Sequence, residues 1–170
     1  MQNAPETTIS VAHSPTSTRA RPLTLDAIDR AIVRALQKDG RMAYGKIGAR
    51  VGLSEAAARQ RVQRLLARGV MQIAAVTDPV RLGSKSMALI GIKARGDSRR
   101  IAKAIAALPE SIYVVATAGP YDVIAELVCE SHEQLLRVTN EKIRSLGEVA
   151  DAVILMYLGT YKHTFTYSVS

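Results

Sequence analysis

Tryptophan is absent from this chain of 170 residues, and phenylalanine and cysteine each occur once. Apolar residues still make up 48%, so a packed core is expected, and it must be aliphatic. The single cysteine, Cys129, excludes an internal disulfide framework; it sits in an apolar run and reads as a small core residue. No stretch of about eighteen apolar residues occurs, so no transmembrane helix is expected. The first residues lack the apolar segment of a secretory signal, and the expected location is the cytoplasm. The histidines are His13, His132 and His163, and they form no cluster. No Ser/His/Asp, Cys/His or metal-ligand spacing appears. No catalytic residue, metal or cofactor is therefore expected.

Acidic residues are scarce in one half only. Residues 1–75 hold 12 Lys/Arg against 5 Asp/Glu, a balance of +7, and residues 76–170 hold 11 against 10, a balance of +1, which together give the net +8. The first half carries the electrostatic footprint of a polyanion binder, and the second is close to neutral. The length suits one domain or two small ones.

The basic half is organised around Ser54 to Arg68. A short helix from about Ala43 to Arg50 is broken at Gly52-Leu53. A second helix starts with Ser54 as N-cap, whose hydroxyl can accept from a first-turn amide. Glu55 suits the positive end of the dipole, and Gly69 is a natural stop. Two helices joined by a tight glycine-containing turn form a helix-turn-helix unit. At about 100° per residue, Ala58, Val62, Leu65 and Leu66 form the inward stripe. Ala56, Gln60, Gln63, Arg64 and Ala67 lie opposite, with Arg59 and Arg61 on the flanks. That outer face shows amides and guanidiniums and no carboxylate. Gln can bond adenine, and Arg can bond guanine or phosphate. The candidate DNA-contacting residues are Ser54, Ala56, Arg59, Gln60, Arg61, Gln63 and Arg64, with Tyr44 at the start of the preceding helix.

Upstream, Leu25 to Asp39 is an amphipathic helix with Leu25, Ile28, Ile32, Ala35 and Leu36 on one face. Residues 1–22 are rich in Ser, Thr, Ala and Pro and are expected to be a disordered tail. Arg19 and Arg21 read as solvated charges there. Downstream, Val70 to Val76 reads as a strand, and Thr77 to Gly83 as a Pro- and Gly-bounded linker.

The second half reads as a strand at Met87–Ala94, a helix at Arg99–Leu108 and a strand at Ile112–Ala118. The turn Gly119-Pro120-Tyr121-Asp122 follows, then a strand at Val123–Cys129. A helix capped by Ser131 runs to Leu146, and a last strand covers Val149–Tyr161. The order β-α-β-β-α-β is the ferredoxin-like split pattern. The fold class is thus α+β, an N-terminal helix-turn-helix domain followed by a C-terminal ferredoxin-like βαββαβ domain. Both helices of that motif cover one sheet face, yet the strands are apolar on both. The uncovered face should pack against a second copy. A two-fold dimer of DNA readers implies a near-palindromic operator on double-stranded DNA.

These segments together resemble the Lrp/AsnC family, the feast/famine bacterial regulators. The resemblance covers about Leu23 to Lys162. It rests on Leu25-Asp-Ala-Ile-Asp-Arg30, Leu36-Gln-Lys-Asp-Gly-Arg41, Val51-Gly-Leu-Ser54, Arg61-Val-Gln-Arg-Leu65, Gly69-Val-Met-Gln-Ile73, Asp78-Pro-Val-Arg-Leu-Gly83 and Gly119-Pro-Tyr-Asp122, in order. It implies a helix-turn-helix domain at 23–69, a strand and linker at 70–83, and a ligand-sensing and oligomerisation domain at 84–165. It implies transcriptional regulation by a homodimer that assembles to tetramers or octamers, works at the bacterial nucleoid and answers to a small-molecule effector, usually an amino acid. The effector is expected near Gly119, Pro120, Tyr121 and Asp122, with Ala152 and Ile154 at last-strand positions where the family often has Thr. Asp122 could accept from an ammonium group; the bland alternative is an ordinary turn in which Asp122 bonds backbone. Pro120 stands where the family often has a polar or acidic residue. Two other readings compete: an enzyme similar to sirohaem decarboxylase subunits, and an amino-acid-binding adaptor without DNA binding.

Overall fold

The computed structural model describes residues 24–79, 81–162 and 164. The tail 1–22, with Arg19 and Arg21, lies outside them, as do His13 and His163. The chain divides into two compact units near Ala74 and Ala75.

The first unit holds α1 (Ala27–Lys38), α2 (Tyr44–Val51) and α3 (Glu55–Ala67). Helix α1 starts two residues later than its apolar stripe because Asp26 caps it, accepting from the Asp29 amide at 2.7 Å. The turn between α2 and α3 depends on two glycines. Gly52 takes φ +71° as the C-cap. A Cβ on Gly48 would lie 2.5 Å from the Leu53 carbonyl oxygen. Helix α3 is capped by Ser54, which accepts from Ala57 N–H at 3.2 Å. It ends in a Schellman motif: the amide of Gly69 donates to Leu66 and that of Val70 to Leu65, both at 3.0 Å. Ile32, Ile47, Val62 and Leu65 are buried at the centre.

Residues Val70 to Val76 form no strand. Val70 is consumed by the helix cap, and it packs with Met71 against the helical core. The rest finds no strand within the described chain to pair with. Ile73 and Val76 are left exposed.

The second unit is β1 (Ser86–Ala94), α4 (Ser98–Ala106), β2 (Ser111–Ala116), β3 (Val123–Cys129), α5 (His132–Arg137) and β4 (Val149–Met156). The sheet is antiparallel in the order β2-β3-β1-β4, which is the ferredoxin-like order. The expected second helix is not uniform. After α5 the chain continues as a π-helical segment, Val138–Arg144. Ala88, Ile90 and Ile92 of β1 and Val123, Ala125 and Leu127 of β3 pack with Ile101, Ile105, Leu135 and Ile143 of the helical layer. Strand β4 stops at Met156 rather than Tyr161. Its partner runs out there: Ala88 pairs Met156, and the last bond is from Tyr157 N–H to the Met87 carbonyl. Leu158 and Tyr161 are fully exposed. Among the described residues no helix is long and apolar enough to cross a membrane.

Candidate nucleic-acid interface and effector turn

The outer side of α3 presents a shallow concavity of about 380 Å³ lined by Glu55, Ala56, Arg59, Gln60 and Gln63. These residues lie one and two turns apart, so one face of one helix supplies them all. Four of the expected reading residues, Ala56, Arg59, Gln60 and Gln63, are brought together and are exposed. Glu55 adds one carboxylate to a surface expected to have none. Arg59 stands with its guanidinium carbon 5.3 Å from the centre of the half-buried Tyr44 ring, a cation–π contact that orients it. Ser54 serves as the cap of α3.

Arg61 and Arg64 are placed differently from Arg59. Arg61 donates to Asp26 at 2.6 Å and to Asp29 at 2.8 Å, and Arg64 donates to Asp29 at 3.1 Å. Asp29 is only 5% exposed, so it requires such partners. The Arg61 guanidinium, then the Asp29 amide, hold the Asp26 carboxyl below the usual carboxylate range. The same bonds, to Asp26 first and then Asp29, raise Arg61. Arg61 thus ties α3 to α1. Arg64 does the same while keeping nearly half its surface. The signal was present in the sequence: Asp29 falls on the inward stripe of α1, three residues before Ile32.

In the second unit the turn at Gly119–Asp122 is tightly held. Thr117 donates its hydroxyl to the Tyr121 carbonyl at 2.6 Å and its amide to the Asp122 carbonyl at 2.9 Å. The Asp122 amide donates to Ile92, and one Asp122 carboxylate oxygen accepts from the Ala94 amide at 2.8 Å. That oxygen is therefore occupied by backbone. The Tyr121 ring lies over Gly91, where an added Cβ would meet it at 2.7–2.8 Å. Gly119 and Pro120 are exposed. Ala152 and Ile154 do not join this group. They pair with Ile92 and Ile90 and so face the helices. Ala152 is fully buried there and Ile154 packs on the same core, whereas Tyr121 lies on the opposite side of the sheet.

That opposite side carries Leu89, Ile124, Val128, Val153 and Leu155, and among the described residues no helix of the second unit covers it. Tyr113 and Leu155 are 54% and 45% exposed. Glu126 sits among them, bonded by the Tyr157 hydroxyl. Burial, then that bond and the Glu126 charge, push the Tyr157 phenol up to about 12. Among the described residues no group of three or more His, Cys, Asp or Glu could hold a metal ion.

Comparison with known proteins bears on both units. Residues 25–66 match the AsnC-type helix-turn-helix domain, and residues 87–167 match the Lrp/AsnC ligand binding domain. An HTH-type transcriptional regulator of Pyrococcus abyssi is 36% identical over 143 residues, 83% of this chain and 87% of the relative. A transcriptional regulator of Neisseria meningitidis, solved as a complex with L-Met, superposes with TM-score 0.76 at 26% identity, covering 85% of this chain and 97% of that one. The leucine response regulatory protein of Mycobacterium tuberculosis gives TM-score 0.76 at 27% identity, over 84% and 99%.

Proposed function

Because the chain belongs to the Lrp/AsnC family of helix-turn-helix transcriptional regulators, we propose that it reads a near-palindromic operator through the outer face of α3 as a homodimer. The observation that carries this reading is the concavity in which Ala56, Arg59, Gln60 and Gln63 come together beside Glu55 at the helix start. Its two amides and one guanidinium, with a small residue beside them, are the chemistry that reads base edges in a major groove. In this reading Arg59, held by Tyr44, is the leading base or phosphate contact. Arg64 is a secondary phosphate contact that must leave Asp29 in part, and Arg61 is structural.

The uncovered sheet face supports the dimer. Isolated exposed apolar side chains are ordinary, but a contiguous sheet face of Leu, Ile and Val is a binding surface. The unpaired Val70–Val76 segment has strand character and would gain a ladder from a second copy. Assembly beyond the dimer, to tetramers or octamers, follows the family. The effector is a small molecule, an amino acid by class. The protein's place of work is the DNA of the cytoplasm, at the nucleoid.

The test is fluorescence anisotropy on the duplex upstream of the protein's own gene, against a scrambled duplex, across a salt series. Preference for the true duplex, lost in Gln63→Ala with the oligomer intact by sedimentation, is the expected result. Equal and steeply salt-dependent binding to both duplexes, unchanged by Gln63→Ala, would leave only phosphate contacts and overturn sequence-specific reading.

A further inference from the structure

Glu55 puts a carboxylate into the concavity on α3, and nothing neutralises it there. It lies one turn before Arg59, a spacing at which Glu and Arg commonly pair. Arg59 faces the Tyr44 ring instead, at 5.3 Å. Among the described residues the Glu55 side chain makes no hydrogen bond or ion pair.

The place of this carboxylate is set by small neighbours. One of its oxygens lies 3.2 Å from where a Cβ on Gly45 would stand, so the missing side chain in the first turn of α2 leaves it room. Ala56 beside it is exposed, and its short side chain lets the start of α3 come close to a groove floor. As the first residue of α3, Glu55 belongs to the part of a recognition helix that contacts base edges.

A carboxylate in this position opposes DNA binding unless it meets a donor. The positive end of α3 favours it, but equally in free and bound protein, whereas repulsion from phosphates arises only on binding. An ionised carboxylate accepts and never donates. In the major groove the donors are the amino groups of cytosine N4 and adenine N6. Adenine sets its N7 acceptor beside N6, against the second carboxylate oxygen. Guanine and thymine present acceptors. Cytosine alone offers the donor without an acceptor next to it.

We propose that Glu55 is a specificity-determining residue that accepts a hydrogen bond from cytosine N4 in each operator half-site. This rests on the reading of α3 as the operator-contacting helix and names one base pair within it. The charge discriminates in two ways. It gains a bond on the right pair, and on the other pairs it is repelled without compensation.

Selection from a duplex library randomised over about two helical turns, followed by sequencing, tests this with the full chain, Glu55→Gln and Glu55→Ala. The wild-type motif should hold a C·G pair in each half-site, whose replacement weakens binding about fivefold to a hundredfold in anisotropy competition. Glu55→Gln should move that position alone to A·T, because an amide bonds adenine N6 and N7 together. Glu55→Ala should leave all base pairs there nearly equal. Both variants should bind a scrambled duplex more tightly than wild type, with helical circular dichroism and sedimentation unchanged. A wild-type motif that neither variant alters would make Glu55 a partner of the helix dipole only. That result overturns the cytosine contact while sequence-specific reading by α3 stands. So does an altered position that is not C·G in the wild-type motif. If the wild-type chain enriches no motif, sequence-specific reading falls and the cytosine contact falls with it.

Discussion

Arg61 reaches across from α3 to Asp29 of α1 at 2.8 Å, and Arg64 shares the same carboxylate at 3.1 Å. A nearly buried aspartate thus ties the reading helix to the first helix and holds two of its arginines. Asp29→Asn removes the charge and leaves two guanidiniums facing an amide. Breaking a fully buried pair costs about 3–5 kcal/mol. Here Arg61 and Arg64 are 25% and 46% exposed and regain water, so the expected loss is about 2 kcal/mol. Urea denaturation followed by helical circular dichroism measures it. The freed Arg64 should also make the salt dependence of DNA binding steeper, by about one unit of log–log slope for one added phosphate contact.

Acid should loosen the same joint. The Arg61 bond holds Asp26 below the usual carboxylate range. A depressed folded value means that the fold prefers the ionised form. The stabilisation is therefore fully present above the ordinary aspartate value of about 3.9. It is lost as pH falls through the lower folded value. Melting of the helical unit should decline across that acid window, and Asp26→Asn should flatten the decline. An identical pH profile in the variant would show that Asp26 contributes nothing to it.

What was legible in the sequence was local. Ser54, Gly52 and Gly69 mark their helix ends because caps and left-handed turns are decided by one residue and its immediate backbone. The element order of the second unit followed from apolar periodicity in the same way. What was not legible depended on partners far along the chain. Val70–Val76 is an apolar stretch that reads as a strand, but a strand exists only with a neighbour, and the described chain supplies none. On a helical wheel Arg61 lies on the flank and Arg64 on the outer face, until Asp29, over 30 residues earlier, claims them. Ala152 and Ile154 share a face by period two, but the register with Ile92 and Ile90 decides which face. That register turned them toward the helices and away from Tyr121.

Gly48→Ala should be among the most damaging small changes in the first unit. The new methyl would sit 2.5 Å from the Leu53 carbonyl oxygen and 3.2 Å from that of Ser54, and both are backbone atoms that also set the start of α3. Relief requires the turn to open, which moves the whole reading face. Overpacking of this kind costs about 1–3 kcal/mol. Operator affinity should fall more than melting temperature does, because contact geometry is lost before the helices are. Affinity equal to wild type would show that the turn can widen without displacing α3.

Gly91→Ala probes the other unit through a different neighbour. Its methyl would meet the Tyr121 ring at 2.7–2.8 Å, and a ring on a turn can move where backbone cannot. The expected destabilisation is about 1–2 kcal/mol. Tyr121→Ala in the same chain should recover part of it, and a double-mutant cycle reads the coupling. Additive effects would mean that the ring does not rest on Gly91 in solution.

Tyr157 gives a spectroscopic handle on the uncovered sheet face. Its phenol is pushed up to about 12 by burial and by the Glu126 carboxylate that accepts its hydrogen bond. A raised value means that the fold favours the neutral phenol. The stabilisation is therefore complete below the ordinary tyrosine value of about 10 and disappears as pH rises through about 12. Tyr157 should ionise late in a tyrosinate absorbance titration. Tyr157→Phe should remove that late step and no other. Glu126→Gln should bring it to lower pH, because the phenolate then no longer faces a carboxylate. Dimerisation through this face would bury both groups further and delay the step in a concentration-dependent way. A late step that persists in Tyr157→Phe would assign it to another tyrosine and separate the Glu126 pair from the sheet face's chemistry.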